Sequence, residues 1–248
     1  MRFLSETTAN GVSERPFTLG DVPGVLWTPA GATGGRPLLL MGHGGGWHKR
    51  APGLVRRAER FAAEHGFAVA AIDAPGHGER PKSPQDERFV VEIGELLASG
   101  EPISPQVARH TAALARRAVP EWRAVLDALQ ELDGIGPEGP VGFWGLSLAS
   151  VIGIPLAAAE PRIGAAVFGL AGHESLVGAA SRVAVPVAFL LQWDDELVPR
   201  EAGLALFDTF VSGEKTLHAN PGGHLEVPAH EEEGAERFIL RHLLGAAG

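Results

Sequence analysis

A mostly parallel α/β sheet flanked by helices is the fold class this sequence predicts, on two observations. Short continuous apolar runs recur along the chain, as strands buried on both faces require. Between them lie segments whose apolar residues repeat at helical spacing, and that alternation implies βαβ units. The chain has 248 residues, 45% hydrophobic and 21% charged, so it can bury a large core and is expected to form a single domain over residues 1–248.

The first strand-like segments, Phe17 to Leu19 and Gly24 to Trp27, are expected as antiparallel edge strands. Pro37 to Met41 and Phe67 to Ile72 are the first buried runs, and between them Leu54, Ala58, Phe61 and Ala62 mark one face of a helix. The stretch 79–105 breaks the rhythm with four prolines and many charges. Phe89, Val90, Ile93, Leu96 and Leu97 predict a short amphipathic helix within it, so the segment is read as a lid or insert, with a plain surface connection as the alternative. Trp122, Val125, Leu126, Leu129 and Leu132 form another helical stripe.

Gly139 to Ala159 carries no charge and has the length of a membrane span. Its glycines and prolines instead indicate a strand from Val141 to Trp144, a sharp turn and a buried helix. Further strands are expected at Ile163 to Leu170, Val185 to Leu191 and Lys215 to Ala219. Leu204, Phe207 and Phe210 suggest one helix, and Phe238, Ile239, Leu243 and Leu244 the last.

Charge and composition narrow the function classes. With 21 basic and 30 acidic residues the net charge is −9, and no basic patch of the kind nucleic-acid binding needs stands out. Arg56, Arg57 and Arg60 read as a solvated helix face, and Glu231 to Glu233 as a first helical turn, where acids suit the dipole. Cysteine is absent, which excludes disulfides and thiolate chemistry. The polar N-terminal segment lacks a secretory apolar core, so a cytoplasmic location is expected.

Five motifs carry chemistry. Gly145-Leu146-Ser147-Leu148-Ala149 follows a strand and opens a helix, the setting of a nucleophile elbow, with Ala149 where the fingerprint has glycine. His43-Gly44-Gly45-Gly46 follows an earlier strand, where glycines let backbone N–H groups approach a developing oxyanion. Asp73-Ala74-Pro75-Gly76-His77-Gly78 reads as a structural turn, with Asp73 tying down amides and His77 without a catalytic role. After the run ending at Leu191 come three acids. Asp195 is the expected partner of a catalytic histidine, Asp194 the alternative, and Glu196 a solvated residue. Gly222-Gly223-His224 puts a histidine on a glycine-flanked loop, and the order Ser, Asp, His singles it out among ten histidines. His173, at another strand end, is a candidate pocket residue.

Together these motifs span residues 38–228 and resemble the α/β-hydrolase superfamily, within it the esterases related to dienelactone hydrolase. The departures are Ala149 and a serine where the dienelactone hydrolases proper carry cysteine, which argues against dienelactone itself as substrate. The resemblance implies a sheet of about eight strands, a Ser147–His224–Asp195 triad, and an oxyanion hole from the N–H groups of Leu148 and Gly45. It implies no metal or other cofactor. The expected activity is that of a carboxylesterase acting on small to medium acyl esters. Trp47, Leu146 and Trp193 are expected to wall the pocket, with Phe168 as a further candidate. Lactone, thioester and carbon–carbon bond hydrolysis share the scaffold, as does a non-catalytic binding protein. The expected partner is a small-molecule ester, with neither nucleic acid nor membrane. A homodimer is compatible with the sequence, which leaves the oligomeric state open.

Overall fold

The computed structural model describes residues 1–245, and their strands form one ten-stranded sheet. An antiparallel N-terminal section comprises β1 (Arg2–Phe3), β2 (Thr7–Ala9), β3 (Val12–Leu19) and β4 (Val22–Pro29). β4 then pairs antiparallel with β6 (Ala68–Ile72). From β6 onward the sheet is parallel, running through β5 (Leu38–Met41), β7 (Val141–Trp144), β8 (Ile163–Gly169), β9 (Val187–Gln192) and β10 (Lys215–Asn220). The count exceeds the expected eight because β1 and β2 are two and three residues long and largely exposed, so they carry no periodic apolar signal. Neither β3 nor β4 is an edge strand: β3 pairs with β1 and β2 on one side and β4 on the other, and β4 lies between β3 and β6.

The continuous apolar runs are explained by burial on both faces. In β5, Leu38 and Leu40 face one core while Leu39 and Met41 face the other. The second core is covered by α1 (Pro52–His65) and α7 (Ala229–Leu244), through Leu54, Phe61, Ile239 and Leu243. The first is covered by α3 (Ser104–Gln130), α4 (Leu148–Ala159), the short α5 (Val177–Ala180) and α6 (Arg200–Thr209). Local chemistry stops and starts these helices. Pro52 opens α1 and Gly66, at φ 74°, closes it. Among the described residues no helix is long and apolar enough to cross a membrane, and the uncharged stretch divides into β7, a turn and α4, as its glycines indicated.

The irregular segment folds as α2 (Pro84–Ser99), capped by a reciprocal box between Ser83 and Asp86. Only Asp86 of this helix is buried, and its ties to α3 include Phe89 stacked on His110 at 3.8 Å. No residue of 79–105 reaches the cavity described below; the first turns of α3 do, through Val107 and Thr111.

Candidate active site

Strand register assembles the site at the C-terminal edge of the parallel strands, where open α/β sheets leave a crevice. Met41 pairs with Trp144, and Gly42 N–H donates to Trp144 O at 2.9 Å, so the glycine loop and the serine turn leave the sheet side by side. Asn220 pairs with Gln192, and Trp193 N–H donates to Asn220 O at 2.7 Å, which brings the acidic and histidine loops together.

Ser147 lies between β7 and α4 with φ 57° and ψ −121°, a backbone conformation that costs a non-glycine residue about 1–3 kcal/mol. Its surroundings hold it there. Ser147 N–H donates to Gly169 O at 3.0 Å. The fully buried Ser150 hydroxyl sits 2.7 Å from the carbonyls of both Gly145 and Gly169 and accepts from Gly169 N–H at 2.8 Å. The departure at Ala149 is accommodated by glycines around it. A Cβ on Gly145 would lie 2.4 Å from the Ala149 methyl, and one on Gly42 2.6 Å from it.

His224 Nε2 is 2.8 Å from Ser147 Oγ, and its Nδ1 is 2.7 Å from Asp195 Oδ2. The other Asp195 oxygen accepts from the N–H groups of Leu197 and Val198, both at 2.8 Å. Burial alone would push this carboxyl up. The bonds from His224 and the two backbone groups outweigh it and hold the carboxyl below the usual range. Asp194 is exposed and turned away; its carboxylate meets Gly222 N–H at 3.4 Å. Of the two candidates, Asp195 is therefore the acid in contact with His224. Glu196 is exposed, as expected, yet it also accepts from His224 N–H at 3.0 Å. Gln192, at the end of β9, donates to Pro221 O and Gly223 O at 3.3 Å and steadies the same loop.

The glycine loop is fixed from below. Burial pushes the His43 imidazole down to about 4, so it is neutral near pH 7. Its Nδ1–H donates to Gly44 O at 2.9 Å and its Nε2 accepts from Ala74 N–H at 3.0 Å. Asp73, wholly buried, accepts from Lys49 N–H at 2.8 Å, Lys49 Nζ at 2.7 Å and Glu79 N–H at 3.0 Å. It thereby clamps the loop after β5 to the turn after β6. Gly78 is required there, since at φ 57° an added Cβ would sit 2.3 Å from the Asp73 carboxylate. His77 bonds Pro75 O within the turn, and no hydrogen bond joins it to Ser147 or Asp195.

A cavity of about 740 Å³ opens over Ser147 and His224, within the usual range of roughly 300–1,000 Å³ for small-molecule sites. Gly45, Leu148, Trp47, Leu146 and His173 line it. Trp193 does not, which corrects the expectation. Its indole is 43% exposed and lies under the Arg200 guanidinium of α6, at 4.3 Å. Phe168 is a core residue, stacked on Phe210. Arg57 is a correction in the other direction. It lines the cavity and donates to Glu232 at 2.7 Å instead of facing water. Its place at i+3 from Leu54 and i−4 from Phe61 could have revealed this. Lys49 left no periodic signal to read.

No protein-family model matches the chain, and no curated protein does. Solved structures do. A cold-adapted esterase from an Arctic intertidal metagenomic library, in its PEG-bound complex, is 34% identical over 98% of this chain and 100% of that one, with a TM-score of 0.78. Est1E from Butyrivibrio proteoclasticus, bound to ferulic acid, is 17% identical over 97% of this chain and all of that one, at 0.66. An acetyl xylan esterase from Paenibacillus sp. R4 is 16% identical over 98% of this chain and 88% of that one, also at 0.66. The last two share the fold, whereas the identity to the Arctic esterase extends over nearly the whole of both chains. The chain therefore belongs, with that protein, to the α/β-hydrolase-fold family of ester-bond hydrolases.

Proposed function

We propose that the protein is a serine carboxylesterase acting on small to medium acyl esters, with Ser147 as nucleophile, His224 as general base and Asp195 as its orienting acid. The observation that carries this reading is the unbroken hydrogen-bonded chain from Asp195 Oδ2 through both nitrogens of His224 to Ser147 Oγ, at 2.7 and 2.8 Å. His224 Nε2 takes the hydroxyl proton as Ser147 Oγ attacks the ester carbonyl. Asp195 keeps the proton of His224 on Nδ1 and stabilises the imidazolium that forms. The oxyanion is received by the N–H groups of Leu148, first residue of α4, and Gly45, both on the cavity wall. His224 then returns the proton to the leaving alcohol. Water, deprotonated by the same nitrogen, releases the acid and restores Ser147.

The relation to dienelactone hydrolases rests on the five motifs and belongs to this proposal, as do the single domain, the role of residues 79–105 as an insert beside the site, and the cytoplasmic location.

The test compares wild type and Ser147→Ala on p-nitrophenyl esters from acetate to decanoate. The variant should fall by on the order of 10⁴ or more in kcat. Equal activity in the two proteins would remove Ser147 as nucleophile.

A further inference from the structure

The cavity has two unlike halves, set by the two faces of the sheet. One lies over α1 and the loops of Glu196 and His224; there Arg57 is engaged by Glu232 of α7, and Glu196 accepts from His224 N–H. The other lies over α3 and α4 and is walled by Val107, Thr111, Leu148, Val151 and Leu170. His173 joins this second half, opening the 3-10 turn Glu174–Leu176, which packs against α4 and α6.

Among the described residues, neither ring nitrogen of His173 has a hydrogen-bond partner, and no charged group opposes the downward push of burial on its pKa. The ring is therefore neutral near pH 7 and offers one donor and one acceptor. The Thr111 hydroxyl donates to Val107 O at 2.8 Å within its own helix, so its proton is taken. The mechanism above uses neither residue. A half-buried imidazole with unmet hydrogen-bonding capacity beside an apolar wall selects for a group that both gives and takes a hydrogen bond. It does not select for a charge, because Val107, Thr111, Leu148, Val151 and Leu170 beside it carry no charged side chain.

We propose that His173 is a specificity-determining residue, and that the preferred substrates are esters bearing an uncharged oxygen function, a hydroxyl foremost, held by His173 away from the scissile bond. This inference rests on the esterase reading and narrows its substrate class.

The test uses matched pairs. On the acyl side these are p-nitrophenyl esters from hexanoate to decanoate, each with and without a terminal hydroxyl. On the alcohol side they are acetates of straight-chain alcohols and of the corresponding terminal diols. Wild type is compared with His173→Phe, which keeps a ring, and His173→Gln, which keeps a donor and an acceptor. In at least one chain length the hydroxylated ester should lead in wild type. That preference should fall about tenfold in kcat/KM in His173→Phe and return in part in His173→Gln. Because the ring is also part of the cavity wall, turnover of the plain ester serves only to normalise each pair, and the ratio within a pair is the readout. If every pair shows the same ratio in all three proteins while plain esters are cleaved, the inference on His173 is wrong and the esterase reading stands. If no ester is cleaved and a fluorophosphonate fails to label Ser147, the esterase reading itself has failed.

Discussion

Lys49→Met tests whether the buried pair beneath the glycine loop holds the site. Lys49 is 3% exposed and Asp73 0%, with Nζ and Oδ2 2.7 Å apart. Removing one member of such a pair typically costs about 3–5 kcal/mol, because the other charge stays buried. Asp73 would retain the N–H groups of residues 49 and 79, which places the loss near the lower end, about 3 kcal/mol. For a chain of this size that lowers Tm by roughly 6–12 °C. The pH dependence carries a second signature. In wild type the folded-state pKa of Asp73 lies below its ordinary value, so its contribution is present above about pH 4 and is lost as pH falls through the folded pKa. In the variant burial still raises the carboxyl, opposed now only by the two backbone N–H bonds, since the side-chain bond and charge of Lys49 are gone; its folded-state pKa therefore rises, and the penalty at pH 7 is relieved on acidification. The Tm gap between the two proteins, followed by circular dichroism, should therefore narrow from pH 7 toward pH 4. Asp73→Asn in the Lys49→Met background should recover at least half of the loss at pH 7. A Tm within about 2 °C of wild type, or a gap independent of pH, would refute the reasoning.

Two further predictions concern the site itself. Asp195→Asn should lower kcat by about 10⁴ through the wrong imidazole tautomer, whereas Asp194→Asn, at an exposed carboxylate without a contact to His224, should stay within about threefold. A p-nitrophenyl ester assay separates them, and equal losses would overturn the choice of Asp195. Ala149→Val should destabilise by about 1–3 kcal/mol, since Gly42 and Gly145 leave room for a methyl only. Thermal denaturation measures this, and an unchanged Tm would show that the elbow tolerates bulk there.

The local rules of chain chemistry made much of this protein legible in one dimension. The apolar runs of β5 to β9 read as doubly buried strands because both sheet faces are covered, and the α1 stripe of Leu54, Ala58, Phe61 and Ala62 is the buried set observed. The order of Ser147, Asp195 and His224 was readable because each follows a strand, and strand ends repeat at legible intervals. What tertiary structure alone decided are matters of a few ångströms between distant segments. Asp195 and Asp194 are chemically identical neighbours, and only the pairing of β9 with β10 turns one toward His224 and the other to solvent. Trp193 left the expected pocket because its indole rests against Arg200, while Arg57 entered it beside Trp144 and Glu232. The Lys49–Asp73 clamp joins residues 24 apart across two loops, a contact that neither periodicity nor composition encodes. Periodicity reports which way a side chain faces within its own element. Which side chains meet depends on register, crossover and packing, which exist only once the sheet has closed on both its cores.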